Sequence, residues 1–322
     1  MRSSHEEQLS RRGFCLRCAA YAGGAAAALW LKPAEALAQG SDMVQTMRAS
    51  GATEPVTTHA LRGRVSALVG SGGNIAVLTG PEGKVLVDAG LSTSRRQIAD
   101  ALARLGRGPV THLVNTHWHF DHADGNAWLN AQGARIIAHE NTRKHLAKAT
   151  RVEDWDFDFP PAARAALPTE LIGDERTLSL NGESIRLAHP GPAHTDGDLI
   201  VRFDGADVLH GGDIYWRSYP FIDYSTGGSI DGTIRGTEAM LASVDDRTII
   251  IPGHGGPASN RSELLGYREM LGAVREKVAA LKQGGRSVAE VLAAKPTAQF
   301  DALWGRSVVA PENFTRLVYA GV

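Results

Sequence analysis

The segment NTHWHFDHADG, residues 115–125, sets His117, His119 and His122 beside Asp121, with Asp124 just beyond. It continues directly from THLV, an apolar run that reads as a buried strand. Imidazoles and carboxylates at this density make a ligand set for a zinc-like ion. One short loop cannot complete such a site alone. The fold must therefore bring further ligands to it, and rigid scaffolds do this with loops at strand ends.

The chain supplies candidates of that kind. His194 lies in GPAHTDGD, Asp213 in LHGGD and His254 in IPGHGG. Each follows a β-like run, in a Gly- or Pro-rich loop where backbone can approach a site closely. RVSALVG, NIAVLTG and KVLVDAG read as a strand meander ending at Asp88. TSRRQIADALARLG has Ile98, Leu102 and Leu105 at helical spacing and stops at Gly106. A short helix (GNAWLNAQG), a strand (ARIIAH) and a polar helix (ENTRKHLAKAT) follow. Residues 151–176 are irregular, aromatic and marked by prolines. TLSLNGESIRLAHP is a hairpin turned by Asn181-Gly182, and DLIVRFDGADVLHGGD is a second one. A helix over about 229–243, a buried strand in TIIIPGHG and a long helix over about 260–283 complete the pattern. Two strand groups, each trailed by helices, predict a layered α/β protein with its site along the strand edges.

The N-terminus reads differently. Arg11 and Arg12 precede an almost uncharged, small-residue stretch over 19–31, and Ala36-Leu37-Ala38 has the form of a cleavage site. Basic, apolar and small-residue regions in that order mark an export signal. The run is too short and too rich in Gly and Ala for a membrane span. The arginine pair resembles a twin-arginine (Tat) signal, which implies the Tat translocation machinery as a partner. The expectation is cleavage after Ala38, a periplasmic protein and no stable membrane span after cleavage. Both cysteines, Cys15 and Cys18, leave with that segment, so no thiol can be a nucleophile or ligand in the mature chain. The net charge is −1 for the whole chain and slightly more negative without residues 1–38. With no basic block, nucleic acid is not an expected partner; a small molecule is. The expected organisation is a signal over 1–38, an unpatterned arm over 39–60, the main domain over 61–285 and a C-terminal helical extension over 286–322 carrying Trp304 and Phe314.

H-x-H-x-D-H, then a lone His, an Asp and a final His, resembles the metallo-β-lactamase superfamily over roughly Val65 to Gln283. That resemblance implies an αββα sandwich with a dinuclear zinc site at one edge of its two sheets, two Zn2+ per chain. It implies that His117, His119 and His194 hold one metal, that Asp121, His122 and His254 hold the other, and that Asp213 bridges them. It further implies a metal-bridging hydroxide as nucleophile, with Asp121 orienting it and carrying a proton. The chemistry agrees, because three neutral imidazoles leave an open position for water and paired ions lower its pKa toward neutrality. The implied activity is cleavage of an ester, thioester, lactone or amide-type bond. β-Lactam hydrolysis is one alternative, although the antibiotic-hydrolysing branch often has cysteine where this chain has Asp213. A mononuclear-iron sulfur dioxygenase is another: His119, where iron-binding redox branches often carry Glu, favours zinc, but sulfur dioxygenases of this fold keep a similar motif. The third is a non-catalytic metal-binding accessory protein of a periplasmic oxidative pathway.

Other residues are assigned by position. Tyr215, Trp216, Tyr219 and Phe221 follow Asp213 closely and are candidates for substrate contact. Trp155, Phe157 and Phe159 are candidates for a lid, and Gly70–Asn74 for a flap. Asp88 ends a strand and is a candidate partner for a ligating imidazole. Trp118 is read as packing, and His112, His139, His189 and His210 as structural or supporting.

Overall fold

Alternation along the strands, one side chain inward and the next outward, builds the molecule in layers. The computed structural model describes residues 40–322; the expected signal segment lies outside them. The first sheet has the order β1-β2-β3-β4-β5-β6-β9. Its strands are β1 (Thr57–Arg62), β2 (Val65–Val69), β3 (Ile75–Leu78), β4 (Lys84–Val87), β5 (Val110–Val114), β6 (Arg135–His139) and β9 (Glu170–Ile172). The second sheet runs in sequence order through β10 (Glu175–Leu180), β11 (Glu183–Ala188), β12 (Ile200–Phe203), β13 (Val208–His210) and β14 (Ile249–Ile251). A separate two-stranded hairpin, β7 (Thr150–Val152) and β8 (Phe157–Phe159), lies within the irregular segment.

Val65, Leu78, Val85, Val87, Val114 and Ile137 of the first sheet share one core with Ile185, Leu187, Val201, Phe203, Val208 and Ile251 of the second. Their neighbours Leu68, Ile75, Val77, Leu86, Leu113 and Ile136 point the other way. They pack under helices that supply Ile98, Ala101, Leu102, Trp128 and Leu129. On the far side, Ile200, Leu209 and Ile250 pack with the buried face of the long helix Arg261–Gln283. Helix, sheet, sheet and helix are thus stacked in the αββα order that the resemblance implied. Burial on both faces explains the continuous apolar runs in β3, β4 and β14.

The strand directions create the working edge. β4 pairs parallel with β5, and β13 parallel with β14. β11 is antiparallel to β12 and β12 to β13, so β11 and β13 point the same way. The loops after β4, β5, β11, β13 and β14 carry Asp88, the three-histidine segment, His194, Asp213 and His254. The antiparallel pairing of β3 with β4 brings the 70–74 turn to the same edge.

Two boundaries differ from expectation. Residues 39–60, expected as an arm, fold into a helix α1 (Gly40–Thr53) and the edge strand β1. Met43 and Val44 of α1 are buried with Leu91, Phe120, Trp155 and Phe159, and β1 pairs along β2. This order comes from tertiary burial, which local pattern does not reveal. The tail, expected as a helical extension, holds three short helices at Val288–Ala293, Asp301–Trp304 and Pro311–Gly321. Phe314 and Trp304 are buried there. No helix among the described residues is long and apolar enough to cross a membrane.

If α1 belongs to the folded unit, Val44→Ala costs about 1–3 kcal/mol in a denaturant titration. An unmoved midpoint would return residues 40–53 to the role of an arm.

Candidate metal centre

Asp88 organises the histidine segment. It ends β4 with a positive φ of 69°, a conformation that Asp tolerates better than most residues. Its backbone N–H donates to the Val114 carbonyl at 2.7 Å. Its carboxylate accepts from Thr116 N at 2.7 Å, from Thr116 Oγ1 at 2.8 Å and from His122 Nδ1 at 2.8 Å. Thr116 Oγ1 in turn contacts His117 Nδ1 at 3.0 Å. With its hydroxyl proton given to Asp88, it accepts the imidazole proton, so His117 presents Nε2 as a lone pair. That Nε2 is buried and has no hydrogen-bond partner.

The other imidazoles are oriented the same way. His119 Nε2–H donates to Asp223 Oδ2 at 3.0 Å and leaves Nδ1 free. His194 Nδ1–H donates to the Phe221 carbonyl at 2.9 Å and leaves Nε2 free. Those two free nitrogens face each other at 2.9 Å. Two neutral lone pairs at that distance repel, so the pair suits a cation bound between them. In a tetrahedral site with ligand bonds of about 2.0–2.1 Å, neighbouring ligand atoms lie about 3.3 Å apart. Here Asp213 Oδ2 is 3.7 Å from His117 Nε2 and 3.5 Å from His194 Nε2. Across the cluster, His254 Nε2 lies 3.2 Å from Asp121 Oδ2, 3.4 Å from Asp213 Oδ2 and 3.2 Å from His122 Nε2. Asp213 Oδ1 is 3.1 Å from His122 Nε2. The donor atoms fall into two groups: His117, His119, His194 and Asp213, then Asp121, His122 and His254, with the atoms of each group within 4.8 Å of one another. Asp213 reaches both. The donor set and its orphaned nitrogens fit a pair of metal ions.

Charge divides along the same line. Burial, with the neighbouring imidazoles, holds His117 well below the usual histidine range. Burial acts on His122 and His254 in the same direction, but the carboxylates of Asp213 and Asp121 outweigh it. They raise His122 well above that range and His254 to about 9. Burial would raise Asp213, yet His122, His254 and His117 hold it well below the usual carboxylate range. Without metal, protons on His122 and His254 offset the two carboxylates; with metal, those protons must leave.

Glycines seat these groups. A Cβ at Gly73 would stand 2.1 Å from His122 Cε1, and one at Gly253 would stand 2.0 Å from Asp213 Oδ1. Gly73 N–H donates to the Asp121 carbonyl at 3.1 Å and Asn74 N–H to that of Gly253 at 2.8 Å. Asn74 Nδ2 donates to Pro252 and Gly256 carbonyls, both at 2.9 Å. His210 Nε2–H donates to the Asn74 carbonyl at 3.0 Å. The 70–74 turn, expected as a flap, is therefore strapped to the loop that bears His254.

The aromatic candidates separate. Trp216 lies against His254, ring centroids 4.3 Å apart, and Phe221 lies 6.1 Å from His119 and 6.0 Å from His194. Tyr215 and Tyr219 are fully buried and engaged elsewhere. The Tyr215 hydroxyl meets Ser259 Oγ at 2.6 Å. Tyr219 stacks on Phe314 and donates to Asp301 at 2.8 Å. Substrate contact through these two tyrosines is not what the structure arranges. Trp118 packs, with its indole N–H donating to Thr226 Oγ1 at 3.2 Å. Sequence reasoning missed Asp223. Its carboxylate accepts from Ser225 N, Thr226 N and Thr226 Oγ1 as well as from His119. The short polar run DYST around it was the available signal.

Comparison with known proteins agrees with this geometry. Residues 68–279 match the family model described as Metallo-beta-lactamase superfamily. The chain belongs to this superfamily. Over 157 residues it is 30% identical to the 2,4-dinitroanisole O-demethylase subunit alpha of Nocardioides sp. (strain JS1661), covering 48% of this chain and 45% of that one. It is 25% identical to metallo-beta-lactamase IND-1 of Chryseobacterium indologenes, covering 60% of this chain and 77% of that one. The sec-alkylsulfatase Pisa1 from Pseudomonas sp. superposes with a TM-score of 0.63 at 16% identity, covering 87% of this chain and 52% of that one. The chain thus spans about half the length of the demethylase subunit and of the alkylsulfatase. The comparisons show the superfamily and its fold, and the His/Asp cluster able to hold metal is seen in this chain's own residues.

Because Asp223 fixes the His119 tautomer, Asp223→Asn lowers zinc affinity by about 10- to 100-fold in competition with a chelator while the fold is retained. Unchanged affinity would remove Asp223 from the site.

Proposed function

We propose that this chain is an exported dizinc hydrolase that cleaves an ester, thioester, lactone or amide-type bond. The observation that carries the reading is the convergence of two groups of ligand atoms on one buried cluster, with lone pairs facing each other across it. Zinc is favoured by donor type, since five imidazoles and two carboxylates suit it and His119 occupies the second H-x-H position. When bound, a pair of zinc ions supplies a water of lowered pKa and polarises the oxygen of the scissile bond.

The residues of the chain do the rest. Asp88 and Asp223 hold His122 and His119 in the tautomers that aim lone pairs inward. Asp213 and Asp121 offset positive charge in a site where uncompensated charge is costly. Asp121 is the more exposed of the two cluster carboxylates, with 6% of its side chain exposed against 2% for Asp213, and it sits beside His254 at 18%. It takes up a proton there and returns it to the leaving group, a general acid–base role. The named relatives act on an aryl ether, a β-lactam and an alkyl sulfate by their descriptions. That range supports a common hydrolytic site and leaves the bond to be identified by assay.

Elemental mass spectrometry on protein from cells supplied with both zinc and iron tests the reading, joined to assays with simple esters, lactones, thioesters and a chromogenic β-lactam. The expected result is about two zinc per chain and turnover of at least one class. A single iron without hydrolysis would sink it. Export follows from Arg11, Arg12 and the Ala36–Ala38 site. Intact-mass analysis of the periplasmic protein is expected to show a chain beginning at Gln39, and an uncleaved cytoplasmic chain would refute export.

A further inference from the structure

Four of the cluster imidazoles have a protein partner on the nitrogen turned away from the cluster. The partners are Thr116 Oγ1 for His117, Asp223 for His119, Asp88 for His122 and the Phe221 carbonyl for His194. His254 is the exception. Its contacts with Asp121, Asp213 and His122 are all made by Nε2, and among the described residues its Nδ1 meets no hydrogen-bond partner. Its side chain is 18% exposed, whereas those of the other four are 1% exposed or less. A ligating imidazole normally takes its orientation from a partner on its other nitrogen. His254 must take its orientation from something else.

The neighbour that can supply it is Trp216. The two ring centroids lie 4.3 Å apart, with the planes at 49°. The backbone holds the rings together. Trp216 pairs with His254 in an isolated parallel bridge. On either side of it, Gly253 N–H donates to the Tyr215 carbonyl at 2.9 Å and Arg217 N–H to the His254 carbonyl at 3.1 Å. The loop that carries Asp213 is thereby joined to the loop that carries His254. The indole is 6% exposed and packs in the largest buried cluster, so it offers His254 a fixed surface. Its Nε1 is buried without a hydrogen-bond partner. What the indole contributes is therefore its ring and not its N–H.

Resting on the dizinc reading, we infer that Trp216 is the positioning residue of His254, its ring contact standing in for the hydrogen bond that the other imidazoles receive. Aromatic rings in close contact favour particular relative orientations. Contact with a fixed indole thus restricts the tilt of the imidazole and keeps Nε2 aimed at Asp121 and Asp213. Because His254 belongs to the group of Asp121 and His122, loss of the ring falls on the ion held there. The group of His117, His119 and His194 keeps all of its hydrogen-bond partners.

Stepwise zinc titration of the full-length protein against a chromogenic chelator tests this without turnover. The proteins compared are the native chain, Trp216→Phe, Trp216→Leu and Trp216→Ala. Phe keeps an aromatic face, whereas Leu keeps apolar bulk without one. Trp216→Leu is expected to weaken one of the two zinc ions about three- to tenfold and to leave the other as in the native protein. Trp216→Phe is expected to restore most of the loss. Trp216→Ala is expected to behave like Trp216→Leu, and if it does not fold the comparison of Leu with Phe decides. Native-like binding of both ions by Trp216→Leu overturns the proposal. Equal weakening of both ions, or a Phe variant no better than Leu, overturns it as well. If the native protein takes up a single zinc ion, the dizinc reading is refuted. Weakening of that ion by Leu and its recovery by Phe would still uphold the positioning of His254, and no change would overturn it.

Discussion

A single buried carboxylate, that of Asp88, holds the centre in register with the sheet. The Asp88 backbone N–H ties the end of β4 to the Val114 carbonyl at the end of β5, and the carboxylate holds Thr116, fixes His122 directly and fixes His117 through the Thr116 hydroxyl. Buried polar networks are strong when every member is satisfied and costly when one is not. Here the hydrogen bonds on the outer nitrogens of His117, His119 and His194 leave their inner nitrogens without a proton, while Asp88 orients His122. The ligand geometry is thus prepared by the strands before any ion arrives.

The second dependence is electrostatic. Asp121 and Asp213 bring two negative charges into a space where His122 and Asp213 are almost wholly buried. Neither carboxylate could remain ionised there alone. Imidazolium protons or metal cations must accompany them, and the raised His122 and His254 reflect the first case. The cluster therefore exchanges one set of positive charges for another while its carboxylates stay ionised. Folding and loading share one electrostatic frame.

The layered architecture was legible because strand side chains alternate strictly: Leu86 faces the outer helices and its neighbours Val85 and Val87 face the other sheet. The seven residues of the cluster were legible because His and Asp in glycine-rich loops after apolar runs are hard to place otherwise. Position along the chain did not reveal which way a side chain turns. Tyr215 and Trp216 are adjacent, yet one reaches Ser259 and the other His254. Helix α1 carries only a few apolar residues, and Val44 finds its partners far along the chain at Trp155 and Phe159. Asp223 is one acidic residue among many until folding sets it beside His119.

Gly73 and Gly253 are close neighbours, joined by the Asn74 N–H to the Gly253 carbonyl, and each has only a hydrogen atom facing a ligand. Neither position has room for a side chain, so on this side of the cluster change is costly. The hairpin at 150–159 pairs with neither sheet, and none of the hydrogen bonds of Asp88 runs through it. A lineage built on this frame would diversify by revising its visitor's door and leaving the hinge-side masonry untouched.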